Sequence, residues 1–397
     1  MTLNSFKQIR RIVTANNESG LSYVLLDGPS PKIFKREGGP IHGHTDLWVW
    51  DQTPLPLGGV EDAANLPYDF PGSPQGGHLR AVQSRSKPDS YDATKDSAII
   101  PEHPIKVMAN GRRWDRGGSS TFVGAMHKTQ TIDYAILIEG ERVLGLDDCE
   151  VRWRPGDVVI DVGGWHRWNS PNEEGIVIFD MIAAEFVDGP DGLIQGSDQV
   201  LVGSPNVELP SGVKPTRRIV VGDCEPGFSK VLSDGYSPEM YLDPARPGYA
   251  SSKLWIIKDL PAKLFFESIH LPYVMTPPKG GSIFRMLTLP PDQSWLGKVT
   301  QKDVKNFFQD MQAPFASTYS EAAKHPYMQK TKTVDFCTII HGEVTLVLDT
   351  EECRVSAGDV VVLRGVNHAW SNHSNAPAMI AIASHDADYY SDDNLSV

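Results

Sequence analysis

Six side chains able to move protons or hold a ligand stand in two short stretches of the chain. His127, Thr129, Thr131 and Asp133 alternate with Lys128, Gln130 and Ile132. Side chains two apart on a strand share a face, so these four are expected to point the same way. His166 and Trp168 repeat that spacing further along. Two imidazoles, a carboxylate and two hydroxyls beside an indole make a polar constellation suited to a mostly apolar small-molecule pocket. Three chemistries are open to it. Two His and one carboxylate form the facial donor pattern of non-haem iron. The same groups can donate, accept and orient protons without a metal, since an Asp near two imidazoles keeps its charge and raises their pKa values. The set can equally be a buried hydrogen-bonded network with no chemistry.

The residues around this set are read by position. Trp50 and Trp114 are candidate substrate-binding residues beside Thr129, Thr131 and Trp168. Arg112, Arg113 and Arg116 flank Trp114 and read as a solvated loop rather than an anion clamp. His42, His44 and His78 read as loop histidines.

The elements that must position these residues are written twice. RRIVTANNESGLSYVLLDGPSP begins at Arg10, and RRIVVGDCEPGFSKVLSDGYSP begins at Arg217. MHKTQTIDYAILIEGERVLGLD from Met126 matches MQKTKTVDFCTIIHGEVTLVLD from Met328. RPGDVVIDVGGWHRW from Arg154 matches SAGDVVVLRGVNHAW from Ser356. Ordered matches of this kind mark a duplicated unit, giving domains at 1–205 and 206–397 joined by a Gly-, Pro- and Ser-rich stretch. Thr129, Thr131, Asp133, His166 and Trp168 recur as Thr331, Thr333, Asp335, His368 and Trp370, but His127 is matched by Gln329. If one half works, His127 marks it. Both halves are short β-branched runs divided by Gly, Pro and Asp turns, which predicts an all-β architecture. A short helix is expected over Ser317–His325.

In each half a polar cluster leads into an apolar strand ending at Gly140-Glu141 or Gly342-Glu343. Then follow Pro155-Gly156-Asp157 or Ala357-Gly358-Asp359, a strand, and His166 or His368. This arrangement resembles the two motifs of the cupin superfamily over about 115–185 and 318–386, and the whole chain resembles a tandem bicupin. The resemblance implies two cupin barrels (double-stranded β-helix, jelly roll) related by an internal pseudo-two-fold. It also implies where a cupin metal would sit: His127 stands at the first His of the usual HxH pair, Thr129 at the second, Asp133 at the Glu and His166 at the last His. Thr for His and Asp for Glu weaken that set, so no metal is expected. The first half is expected to be the active one, and the second a structural copy with a degraded site.

The resemblance extends to bicupins of fungal natural-product pathways. It implies a small-molecule enzyme of secondary metabolism catalysing metal-independent dehydration or cyclisation, such as a hetero-Diels–Alder step. His127, Asp133 and His166 would be catalytic and the substrate a small apolar organic molecule, with no cofactor. The alternatives are an Fe- or Mn-dependent dioxygenase using those three residues as ligands, and a ligand-binding or storage bicupin. Cupins also imply a homodimer.

Composition narrows the classes. The 397 residues carry 37 basic and 50 acidic side chains, a net charge of -13, with no basic face for nucleic acid or an anionic membrane. The four cysteines, at 149, 224, 337 and 353, form no CxxC pair and give no zinc or disulfide framework. MTLNSFKQIRRIV lacks an apolar signal core, and a cytoplasmic location is expected. GxGxxG, Walker A, GxSxG and HExxH motifs are missing from the sequence.

Overall fold

The computed structural model describes residues 6–108, 110–186, 208–210, 212–237, 239–264 and 273–389. The expected boundary at 205/206 lies within 187–207, outside the described residues. Among the described residues the architecture is all-β, with two nine-stranded sheets and three three-stranded ones.

Alternation of side chains decides which face of each strand meets what. Along Thr131–Glu139, Ile132, Tyr134 and Ile136 enter a core shared by both halves of the molecule, while Ala135 and Leu137 face a separate inner cluster to which the second repeat adds Ile219 and Val221. Val158–Val162 and Gly175–Glu185 divide in the same way, Ile160 and Ile178 going to the shared core and Val159 and Phe179 to the inner cluster. Both faces are buried, so these strands read as near-continuous apolar runs. The few polar residues on the inner face then line a cavity.

The first sheet is completed by a hairpin from the second repeat. Arg217–Glu225 runs parallel to Val158–Val162 and pairs antiparallel with Phe228–Tyr236. Reciprocally, Arg10–Asn16 runs parallel to Val360–Arg364 and pairs with Ser22–Pro29. The Gly-Asp turns fasten these exchanged hairpins. Asp157 lies 3.2 Å from Arg217, which also grips Asp234 at 2.7 Å. Asp359 lies 3.0 Å from Arg10, which grips Asp27 at 2.7 Å. Between the sheets, Tyr134 stacks on Phe284 with centroids 4.7 Å apart. Asp180 meets His385 at 2.9 Å in full burial.

The helix expected over Ser317–His325 does not form. Backbone there is taken by neighbouring chain: Thr318 N–H donates to Met328 and Lys330 N–H to Ala316. The α-helix is Gln301–Asp310, opened by a Thr300–Asp303 capping box and burying Val304, Phe307 and Phe308, an i, i+3, i+4 stripe. His42 and His44 lie on the strand Ile41–Trp50 and His78 on Gly77–Ser84, not in loops. Their glycine neighbours are strand residues in close backbone contact: a Cβ at Gly77 would meet the Met181 carbonyl at 2.3 Å.

Candidate active site

The inner face of the first half encloses a cavity of about 460 Å³, within the roughly 300–1,000 Å³ usual for small-molecule sites. The matching cavity of the second half holds about 40 Å³, little more than the roughly 30 Å³ share of one water. Phe307 and Tyr327 occupy the second cavity's wall, and Arg246 lies 4.5 and 3.5 Å from their ring centroids.

His127, Thr129, Asp133, His166 and Trp168 all line the first cavity. Thr131 does not; its hydroxyl lies 2.8 Å behind that of Thr129. Trp50 and Trp114 are also elsewhere. Trp50 is 2% exposed in the shared core, against Phe336 and His385, because its strand turns that residue away from the inner face. Trp114 packs with Met126, Trp165 and Phe186. Neither tryptophan has a counterpart in the other repeat, and packing explains both.

The two imidazoles are placed by backbone. His127 and His166 form an antiparallel bridge with both N–H···O=C bonds at 2.9 Å, which sets their rings 4.4 Å apart. His127 Nδ1 meets the Ala125 carbonyl at 2.9 Å, leaving Nε2 for the cavity. His166 Nδ1 meets the Gly164 carbonyl at 2.9 Å, and Asp161 Oδ2 lies 2.6 Å from the same nitrogen. Asp161 stands directly across the ladder from Asp133.

This arrangement divides the protonation states. Burial, the His166 charge and Arg113 hold His127 well below its ordinary pKa. Burial would also lower His166, but the Asp161 carboxylate outweighs it and pushes the imidazole up to about 9. Burial, then the Asp161 charge, push Asp133 up to about 7, against the pull of Thr131 and His166. Near neutrality the cavity therefore holds a neutral imidazole, an imidazolium and a carboxyl group poised to lose its proton. Pairs of titratable groups pushed apart by their surroundings are a hallmark of acid/base sites.

Spacing in the sequence does not single out Asp161, Arg36, Arg80 or Arg142. Arg36, Arg80, Arg113 and Arg142 all line the cavity, and the solvated-loop reading of Arg113 is corrected here: its Nε is buried. Internal comparison held the signal. Asp161 is matched by Leu363 and Arg142 by Val344, both in the half whose cavity has closed. His368 there meets Gln329 at 3.3 Å and has a lowered pKa from burial.

A metal would draw on His127, His166 and Asp133. Among the described residues, no group of three or more His, Cys, Asp or Glu side chains is placed to hold one. The three line one cavity without converging on a point, and His166 is engaged with Asp161. The donor set does not fit the usual cupin metal.

No protein-family model matches the chain. It is 45% identical over 49 residues to phomopsin biosynthesis cluster proteins C' and D of Diaporthe leptostromiformis. It is 46% identical over 50 residues to oryzines biosynthesis cluster protein J of Aspergillus oryzae. Each match covers 12% of this chain, and the chain spans about a quarter of the length of these relatives. Similar solved structures include a cupin 2 conserved barrel domain protein from Leptotrichia buccalis (9% identity, TM-score 0.32, 78% of this chain and 83% of that one). A deletion mutant of Bacillus subtilis oxalate decarboxylase is another (10% identity, TM-score 0.35, 91% and 78%). Among the described residues no helix is long and apolar enough to cross a membrane. The doubled all-β architecture agrees with the bicupin fold that the paired motifs imply.

Proposed function

We propose that the chain is a metal-independent enzyme of natural-product biosynthesis that removes water from a small organic alcohol and holds the unsaturated product for ring closure. The observation that carries this reading is the convergence of His127, His166 and Asp133 on one cavity, with the two imidazole rings 4.4 Å apart and Asp161 2.6 Å from His166; these surroundings lower the His127 pKa and raise those of His166 and Asp133. His127 Nε2 takes a proton from carbon. Asp133, in its carboxylic acid form, gives a proton to the leaving hydroxyl. The carbon–oxygen bond breaks as the carbon–carbon double bond forms, and one water leaves. The His166 imidazolium donates a hydrogen bond to the departing hydroxyl oxygen and helps it leave. Asp133 recovers its proton from solvent as His127 releases the one it took. Trp168, Phe179 and Met181 wall the product, which favours a cyclisation such as a hetero-Diels–Alder closure by orientation alone. The partial relatives from biosynthesis clusters support the pathway class.

The test is genetic and chemical together. A strain lacking the gene is expected to accumulate an intermediate heavier than the normal product by one water, and the purified protein to convert it. His127→Ala and Asp133→Asn are expected to lower turnover by about 10²–10⁴, with Gln329→Ala and Asp335→Asn near wild type. Activity lost on exhaustive chelation and restored by Fe(II) or Mn(II) would replace this reading with the dioxygenase.

A further inference from the structure

The charge inside the first cavity runs against the charge of the chain. A protein of net charge -13 places four arginines and one carboxylate, Asp133, on the wall of one cavity. Two of the cations around it are balanced: Arg80 by Asp46 at 2.6 Å, and His166 by Asp161. Arg142 is not. It is 2% exposed, it donates to the Ser170 hydroxyl at 3.2 Å and lies 6.0 Å from the Trp168 ring centroid, and its Nε is buried without a hydrogen bond. Burial pushes its guanidinium down to about 9, with no carboxylate acting on it. Arg113 has a buried, unbonded Nε as well, and its nearest carboxylate, Asp115, is 3.9 Å away.

A buried guanidinium without a counter-ion is costly, and the second half avoids it with Val344 at the equivalent position. The fold does not require an arginine there. We infer that Arg142 binds a carboxylate group of the substrate, so that the molecule dehydrated in the first cavity is a hydroxy acid rather than a neutral apolar alcohol. The inference rests on the acid/base reading of the same cavity. Guanidinium and carboxylate match as a planar two-pronged pair. A carboxylate's single charge matches the single uncompensated guanidinium of Arg142, and a phosphate dianion leaves a second negative charge unbalanced. The rest of the wall, Val82, Trp168, Phe179 and Met181, takes the organic body. A carboxylate held at Arg142 also makes chemical sense for the step. Neutralising its charge acidifies the adjacent C–H, the proton that His127 removes.

Isothermal titration calorimetry with benzoate, phenyl phosphate and benzyl alcohol tests this on the whole protein at low salt. Benzoate is expected to bind saturably, phenyl phosphate at least several-fold more weakly, and benzyl alcohol weakest. Arg142→Gln is expected to weaken benzoate by ten-fold or more and to leave benzyl alcohol within two-fold, with Arg142→Lys between them. Arg142→Val, which copies the second half, provides a variant whose fold is checked by its melting curve. No benzoate binding to the wild type, equal binding of benzyl alcohol, tighter binding of phenyl phosphate, or an Arg142→Gln affinity within two-fold of wild type each overturns the inference. Benzoate binding retained in His127→Ala and Asp133→Asn separates the two ideas. If those variants bind benzoate and still turn over the intermediate, the acid/base reading fails while the carboxylate site stands.

Discussion

Asp161 governs the protonation of the cavity without lining it. Its carboxylate raises both His166 and Asp133, and Leu363 in its place leaves His368 with a lowered pKa. Asp161→Leu therefore copies a side chain the fold already accepts. The expected result is a fall of the His166 pKa from about 9 to below its ordinary value, measured by NMR of the imidazole. Asp133 then ionises at lower pH. Since the proposed acid is protonated Asp133, wild-type turnover falls as pH rises through about 7, and in Asp161→Leu that fall moves to lower pH. Stability follows with a definite sign. His166 gains its partner on folding, so its stabilisation is fully present below the unfolded pKa of roughly 6.5 and is lost as pH rises through about 9. Melting temperature against pH should show that loss in the wild type and not in Asp161→Leu. An unchanged pH–rate profile in the variant would sink the role given to Asp161. At this scale the sequence displayed His127, Asp133 and His166 through their spacing. It hid Asp161 and Arg142, because each lies in an otherwise apolar strand and becomes telling only against Leu363 and Val344.

At the scale of elements, repetition in the sequence announced two all-β units, but not which unit each opening hairpin serves. A repeated segment looks the same whether it pairs with its own copy or with the other, and only the parallel registers Arg11–Val360 and Arg218–Val158 decide it. Gln301–Asp310 carries its helix signals in a capping box and an apolar stripe. The exchange has a testable consequence. Removing residues 1–29 strips the second sheet of its outer hairpin and leaves Val360–Arg364 as an unpaired edge. Hydrogen exchange at Val361 and Val362 is expected to quicken, while amides of Val158–Val162, whose neighbour is Arg217–Glu225, stay protected. Quickened exchange at Val158–Val162 and none at Val361 would mean that each hairpin serves its own repeat.

At the scale of the whole molecule, the two units share one core. Trp50, Tyr134 and Ile160 from the first repeat interdigitate with Trp255, Phe284 and Phe336 from the second in a single apolar cluster. The buried Asp180–His385 contact ties the same faces together. With hairpins exchanged and the core common, neither unit buries its strands without the other. The second unit thus keeps a purpose after its own cavity has closed around Phe307, Tyr327 and Arg246: it forms one wall of the platform that holds the first cavity open. Unfolding is expected as one cooperative transition despite the internal duplication, with calorimetric and van't Hoff enthalpies in agreement. Trp50→Ala probes this directly, since Trp50 touches the second unit at Phe336 and His385 and lies outside the cavity wall. The substitution is expected to cost about 3–5 kcal/mol, to lower the single transition as a whole, and to leave Arg142-dependent benzoate affinity unchanged below the melting range. Two resolved transitions, with only the first displaced by Trp50→Ala, would show that the units fold independently and that the shared core is a contact rather than a common foundation.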